Sequence, residues 1–399
     1  MRSADRSFLA LALALAACGG GGGGSGPSSS SSYVLPVSVD GAHCDPTNLY
    51  VNKPCVAVTL CTPGTSSCQT IDDVLLDTGS YGLRVFTQAL GSVALEPVPS
   101  GSGALATCVG FVDQTSDWGP VRLADVVLGG EPPVRVPVHV LDVTFGSPPA
   151  SCTNLQSDPT TAGFNGILGV GVFAQDCGDF CVTSIPLTPI YFSCNGAGCS
   201  PTTVPLADQV TNPLALLPQD NNGVVVDLPS VPAGGARSAE GTLFLGIGTR
   251  DNNALVGTTF PVDPAQGTLT TMLSGGVQTD SFVDTGSNGL FFDPPSGSGL
   301  LACSGSNSAW FCPASTVPLT ATNIGYGNSP FGEVNFEVAN FDSLAASGNF
   351  VFSDLGGSAV ASGGLAPFDW GLPFFLGRRV AVGLEGRASS LGTGPFVAY

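Results

Sequence analysis

The sequence is short of basic and titratable side chains. Lys53 is its only lysine, lysine and arginine together number 11, and 10% of the 399 residues are charged. Against 30 aspartates and glutamates this leaves a formal charge of −19, which repels phosphate backbones and argues against nucleic acid as a partner. Histidine occurs twice, as His43 and His139, and neither adjoins a recognisable nucleophile motif, so Ser–His and Cys–His chemistry is not expected. No Gly-rich loop lies between a strand and a helix to cradle a phosphate, and neither a cofactor nor a catalytic metal is expected. Helix-forming segments are sparse, and the one good candidate, Leu206 to Leu217, is interrupted by Pro213. No apolar run is long enough to cross a bilayer as a helix.

What is plentiful is glycine, at 55, and proline, at 32, both of which break helices and supply turns. With 43% hydrophobic residues there is ample material for a core, so the reading is an all-β fold of many short strands with few short helices. Alternating segments support it at Val34 to Val39, Val56 to Leu60, Val121 to Leu128 and Val134 to Leu141. Later strands are expected at Thr242 to Leu245, Phe260 to Val262, Val334 to Val338, Phe350 to Phe352 and Val380 to Leu384. In Val134 to Val140 one face is valine and the other mostly polar, which predicts a half-buried strand with His139 on its polar face. Asp72, Asp73, Glu333 and Glu337 read as solvated charges on strand faces.

The N-terminus reads as a targeting segment. Arg2 and Arg6 precede the apolar run Phe8 to Ala17, and Leu15-Ala16-Ala17-Cys18 has the form of a lipobox. This signal resembles that of bacterial lipoproteins, which implies lipidation of Cys18, anchoring in the cell envelope and, with Gly19 following, the outer membrane as the default site. Residues 18–32 form a Gly/Ser-rich tether. Setting Cys18 aside leaves an even number of the 13 cysteines in an exported chain, which favours disulfides. Local pairs Cys61–Cys68 and Cys303–Cys312 are expected. Cys177, Cys181, Cys194 and Cys199 have spacing compatible with a zinc site, but export favours disulfides there too.

One long internal repeat carries the chemistry. Val74-Leu75-Leu76-Asp77-Thr78-Gly79-Ser80-Tyr81-Gly82-Leu83 recurs as Ser281-Phe282-Val283-Asp284-Thr285-Gly286-Ser287-Asn288-Gly289-Leu290. Each copy is followed by a second apolar element ending in glycine, Ile167-Leu168-Gly169 and then Phe375-Leu376-Gly377. An apolar strand that delivers Asp into a Thr-Gly-Ser turn fixes a carboxylate rigidly. Gly79 and Gly286 bring backbone N–H groups to it, Ser80 and Ser287 donate to its outer oxygens, and Thr78 and Thr285 can bond across a pseudo-two-fold axis.

These paired motifs resemble those of the pepsin-like aspartic peptidases, and the resemblance runs from about residue 34 to the C-terminus. Phe164 to Val170 is similar to the end of that family's first lobe, and Glu240 to Gly246 to the strand opening its second. The lipoprotein signal also suggests a bacterial family of uncharacterised lipoproteins with the same paired motifs. The resemblance implies a bilobal fold with lobes 33–218 and 219–399 behind a signal peptide, residues 1–17. It implies catalysis by Asp77 and Asp284 through a shared water, and an extended peptide or protein as substrate; a monomer is expected. Three departures accompany it. The expected flap, Cys108 to Gly119, has no tyrosine, leaving Phe111 or Trp118 to substitute, and Arg84 stands where the family carries tryptophan. There is also no basic propeptide. Tyr81 and Asn288 follow the loops and are candidates for the cleft lining. The altered flap keeps a second reading open, a non-catalytic surface protein whose cleft or loops bind a peptide, protein or glycan.

Overall fold

The computed structural model describes residues 33–41, 50–196, 198–359 and 367–399. Cys18, the tether and His43 fall outside the described residues. The body Tyr33–Tyr399 forms its own contact unit. It is all-β: among the described residues the helices are single turns such as Pro159–Ala162, Asp179–Thr183, Phe341–Ala345 and Leu372–Phe375. None is long and apolar enough to cross a membrane.

The alternating segments form strands where expected, with ends displaced by a few residues. Val34–Val39, Pro54–Cys61, Ser116–Val127 and Val134–Leu141 are all present. The last differs in burial. It is hydrogen-bonded on one edge to Ser116–Val127 and on the other to Tyr81–Phe86, and both of its faces are covered, so only Arg135 remains exposed. His139 is therefore fully buried instead of lying on a wet face. Asp72, Glu333 and Glu337 are exposed as expected, and Asp73 is intermediate.

Strands from both halves of the sequence join in one sheet. Val34–Val39 pairs with Ala239–Leu245, which pairs with Gly223–Asp227, which pairs with Arg379–Gly383, followed by Phe396–Ala398 and Thr259–Pro261. Val37, Val226, Leu243 and Val382 bury one continuous apolar layer there. At about 25 cal/mol per Å² of apolar surface, such interdigitated aliphatic side chains are what hold the framework that carries the two loops.

The repeat folds twice in the same way. Cys68–Asp77 runs parallel to Gly166–Val170, which lies antiparallel to Tyr81–Phe86 on its other side. Gly276–Val283 runs parallel to Asp369–Trp370, which lies antiparallel to Leu290–Phe292. In this register Leu168 lies opposite Leu76 and Leu83, and Trp370 lies opposite Val283 and Leu290. Gly371 thus occupies the place of Gly169. The expectation that Phe375-Leu376-Gly377 backs the second loop is corrected: Leu372–Phe375 is a short buried helix started by Pro373, and Asp369-Trp370-Gly371 is the backing strand. Its acidic first residue, Asp369, hid it from a search for apolar pairs before glycine.

Two further expectations change. Leu206 to Leu217 is not one helix but two 3₁₀ turns, Leu206–Asp208 and Pro213–Leu216, the second capped by the Asn212 side chain with Pro213 at its start. Phe350 to Phe352 contributes only a single bridge, Val351 to Ala236. The disulfides Cys61–Cys68, Cys108–Cys152, Cys177–Cys181, Cys194–Cys199 and Cys303–Cys312 are formed, so the four-thiolate alternative falls away. Cys303, Cys312 and Asp342 cluster, but the sulfurs are bonded to each other.

Candidate functional site

Asp77 ends the strand Cys68–Asp77 and Asp284 directly follows Gly276–Val283; each enters a tight turn, and they retain 6% and 8% exposure. Asp77 accepts hydrogen bonds from the backbone N–H of Gly79 at 2.7 Å and of Ser80 at 3.2 Å on Oδ1, and from the Ser80 hydroxyl at 2.5 Å on Oδ2. Asp284 accepts from Gly286 N–H at 2.7 Å on Oδ1, and its Oδ2 lies 2.8 Å from the Ser287 hydroxyl. The turn chemistry expected from the motif is present in both copies.

The two turns meet. Thr78 N–H donates to Thr285 Oγ1 at 3.1 Å, and Thr285 N–H donates to Thr78 Oγ1 at 3.0 Å. Each hydroxyl in turn donates to the opposite strand, Thr78 to Val283 O at 3.1 Å and Thr285 to Leu76 O at 2.7 Å. Four reciprocal hydrogen bonds, all buried, clamp one loop to the other. The glycines let the carboxylates approach: a Cβ on Gly79 would stand 2.6 Å from Asp284 Cγ, and one on Gly286 would stand 2.9 Å from Asp77 Cγ. Asp77, Thr78, Gly79 and Ser80 are thus brought against Asp284, Thr285, Gly286 and Ser287.

Burial pushes the Asp284 carboxyl well above the usual range, and the charges of Asp77 and Asp369 push it further. Asp369 was not foreseen. It occupies the backing strand, and its Oδ2 lies 2.6 Å from the same Ser287 hydroxyl that serves Asp284. Burial raises its carboxyl to about 8, against the lowering effect of the Ser287 contact. No local motif marks it, because only strand register brings it to the loop.

The flap candidates take other places. Gly103–Gly110 and Ser116–Val127 form a hairpin tied by Cys108–Cys152. Trp118 is fully buried on it, its Nε1 donating to Phe145 O at 2.8 Å and its ring edge against Phe192. Phe111 packs on a core of Leu75, Phe86, Leu141, Phe164 and Ile167. Arg84 is buried too, paired with Asp176 at 3.3 Å and within 3.0 Å of His139 Nδ1. Burial and the Arg84 charge hold His139 well below its ordinary pKa. Tyr191 donates to Asp176 at 2.5 Å, completing the network. Trp118 and Arg84 are therefore buried packing residues here, whereas Phe111 stays partly exposed.

Two tyrosines do sense the aspartates. The Tyr81 phenol is raised by burial and then by the charges of Asp77 and Asp284. Tyr50, missed in the sequence, is raised to about 12 by burial, then by Asp113, Asp284 and Asp77, with Lys53 Nζ 3.7 Å from its ring centre. Asp113 belongs to the hairpin tip between Gly110 and Ser116. Asn288 offers its backbone carbonyl to the Asn52 amide at 2.8 Å, a link between the two halves of the sequence.

The molecule is thus an all-β protein with a buried pair of carboxyl turns facing each other. The chain belongs to the family described as "protein of unknown function (DUF3443)", which matches residues 29–399. No curated protein matches it.

Proposed function

We propose that this chain is an aspartic endopeptidase of the pepsin-like, bilobal kind, exported and anchored to the cell envelope through a lipid on Cys18. The observation that carries the reading is the reciprocal clamp of Thr78 and Thr285, which holds Asp77 and Asp284 face to face. A turn residue needed only for folding has no reason to be met by its repeat partner at the same atom. In this reading the halves 33–218 and 219–399 are the two lobes, and an extended peptide lies between them.

The donor sets suggest the division of labour. Three hydrogen bonds stabilise Asp77 as the carboxylate, whereas Asp284 receives two and is pushed toward protonation by burial. Asp77 takes a proton from a water as the water oxygen attacks the scissile carbonyl carbon. Asp284 gives its proton to the carbonyl oxygen, and a gem-diol forms. Asp77 then returns a proton to the amide nitrogen, the C–N bond breaks, and Asp284 regains the diol proton, giving acid and amine.

The test is a peptide-library digest by the wild type, Asp77→Asn and Asp284→Asn across about pH 3 to 8. Cleavage by the wild type and none by either variant supports the reading; equal cleavage by all three, or none by any, removes it. The burial of Trp118 favours a second reading, in which the same cleft binds a peptide, protein or glycan without cutting it. Saturable binding of an uncut peptide library by the wild type would support that alternative.

A further inference from the structure

Ser287 has one hydroxyl proton and two carboxyl neighbours. Its Oγ lies 2.8 Å from Asp284 Oδ2 and 2.6 Å from Asp369 Oδ2. Both contacts are hydrogen bonds at once only when one carboxyl is protonated and donates to Oγ, while the hydroxyl donates to the other. Asp284 has a second donor in Gly286 N–H, whereas Asp369 Oδ1 is buried with no partner. A carboxylate with a single donor in such surroundings is costly to ionise, so the proton belongs on Asp369. Its neighbours reinforce this. It lies opposite Phe282 and Phe291 in the sheet, between Phe368 and Trp370. Asp77 is the charge that acts on it, Asp284 shares its hydroxyl, and the flanking strands bring only Asp280, exposed, and Asp293 beyond a strand end. No cation contributes among the described residues.

We infer that Asp369 is a third proton-binding member of the site, a positioning residue that acts through Ser287. Protonated, it donates to Ser287 and aims that hydroxyl at Asp284. Ionised, it competes for the same hydroxyl, strips Asp284 of a donor, and adds a second negative charge to a site that holds no balancing cation. Asp369 thereby sets the alkaline limit of the pair's working range.

The inference rests on the peptidase reading for what the pair does, so its test has an arm that needs no activity. The full chain, purified in detergent with carboxyl-labelled aspartate, is titrated by NMR as wild type, Asp369→Asn and Ser287→Ala. The wild type is expected to show a carboxyl titrating near 8, the value to which burial raises Asp369. Asp369→Asn should lose that signal. Ser287→Ala should move it upward, because the hydroxyl is what lowers it. If Asp369→Asn does not fold, the Ser287→Ala shift decides. In the second arm, affinity for a statine peptide is followed against pH. The wild-type alkaline fall should move up by about one pH unit or more in Asp369→Asn, whose amide donates to Ser287 at every pH. A wild-type Asp369 that titrates in the ordinary carboxylate range, or an alkaline fall that does not move, overturns the inference. Should no statine bind at any pH while the Asp369 signal behaves as described, the peptidase reading fails and the proton assignment stands.

Discussion

Removing the hydroxyl of Thr285 while keeping its shape probes the clamp directly. Thr285 is fully buried, and Thr285→Val deletes the donor to Leu76 O and the acceptor of Thr78 N–H. Each bond contributes about 1 kcal/mol, and a buried N–H left without a partner adds roughly 1–3 kcal/mol, so a loss of about 3–5 kcal/mol is expected. For a body of this size that lowers Tm by roughly 2 °C per kcal/mol, about 6–10 °C in all. Thr285→Ser keeps both hydrogen bonds and loses one methyl, about 1 kcal/mol. The assay is thermal and urea unfolding of the three proteins in parallel, with statine affinity as the functional readout. The order wild type, Ser, Val is expected in both. A Val variant as stable as the Ser variant would refute the clamp, because valine preserves the packing and abolishes only the hydrogen bonds. Thr78→Val should behave alike, because it deletes the other two bonds, the donor to Val283 O and the acceptor of Thr285 N–H, and the double variant should lose all four.

Asp284→Asn should be tolerated in folding at neutral pH, because burial already favours its neutral form, and should abolish cleavage; unfolding curves and a digest check both halves. Replacing Cys108 and Cys152 by alanine opens a loop of sequence separation 44 and should cost roughly 4 kcal/mol, measured by urea unfolding under oxidising conditions. Glu131, against Asp220 and Arg250, is raised to about 7 from 4.5, so the folded chain holds its proton more tightly than the unfolded one. Its contribution is full below 4.5 and is lost as pH rises through 7, so Glu131→Gln should flatten the fall in stability across that window. His139 is depressed by burial and by Arg84, so its contribution is present above 6.5 and lost as pH falls below it. His139→Gln should therefore resist acid unfolding better than the wild type.

The legible parts were those written in local sequence. Asp-Thr-Gly-Ser after an apolar strand dictates a turn whose own N–H groups and hydroxyl serve the carboxylate, and both copies obey it. Alternation located most strands, because side-chain period is a local property. Burial of His139 was not legible, since alternation cannot tell whether a second layer covers the polar face. Asp369 was hidden for a related reason. Its role depends on pairing with Phe282 and Phe291, residues far away in the chain, and an acidic residue before Trp-Gly has no local meaning. Phe374 and Phe375 misled because hydrophobicity before a glycine suits a buried helix turn as well as a strand. Tyr50 was missed because nothing in its neighbours announces a site formed by distant loops.

The most direct test of the central claim is calorimetric binding of a statine peptide, whose hydroxyl mimics the attacking water between the two carboxyls. One equivalent is expected to bind the wild type, with a loss of at least about 100-fold in affinity in both Asp77→Asn and Asp284→Asn. Undiminished binding by either variant, or no binding by the folded wild type, would contradict it.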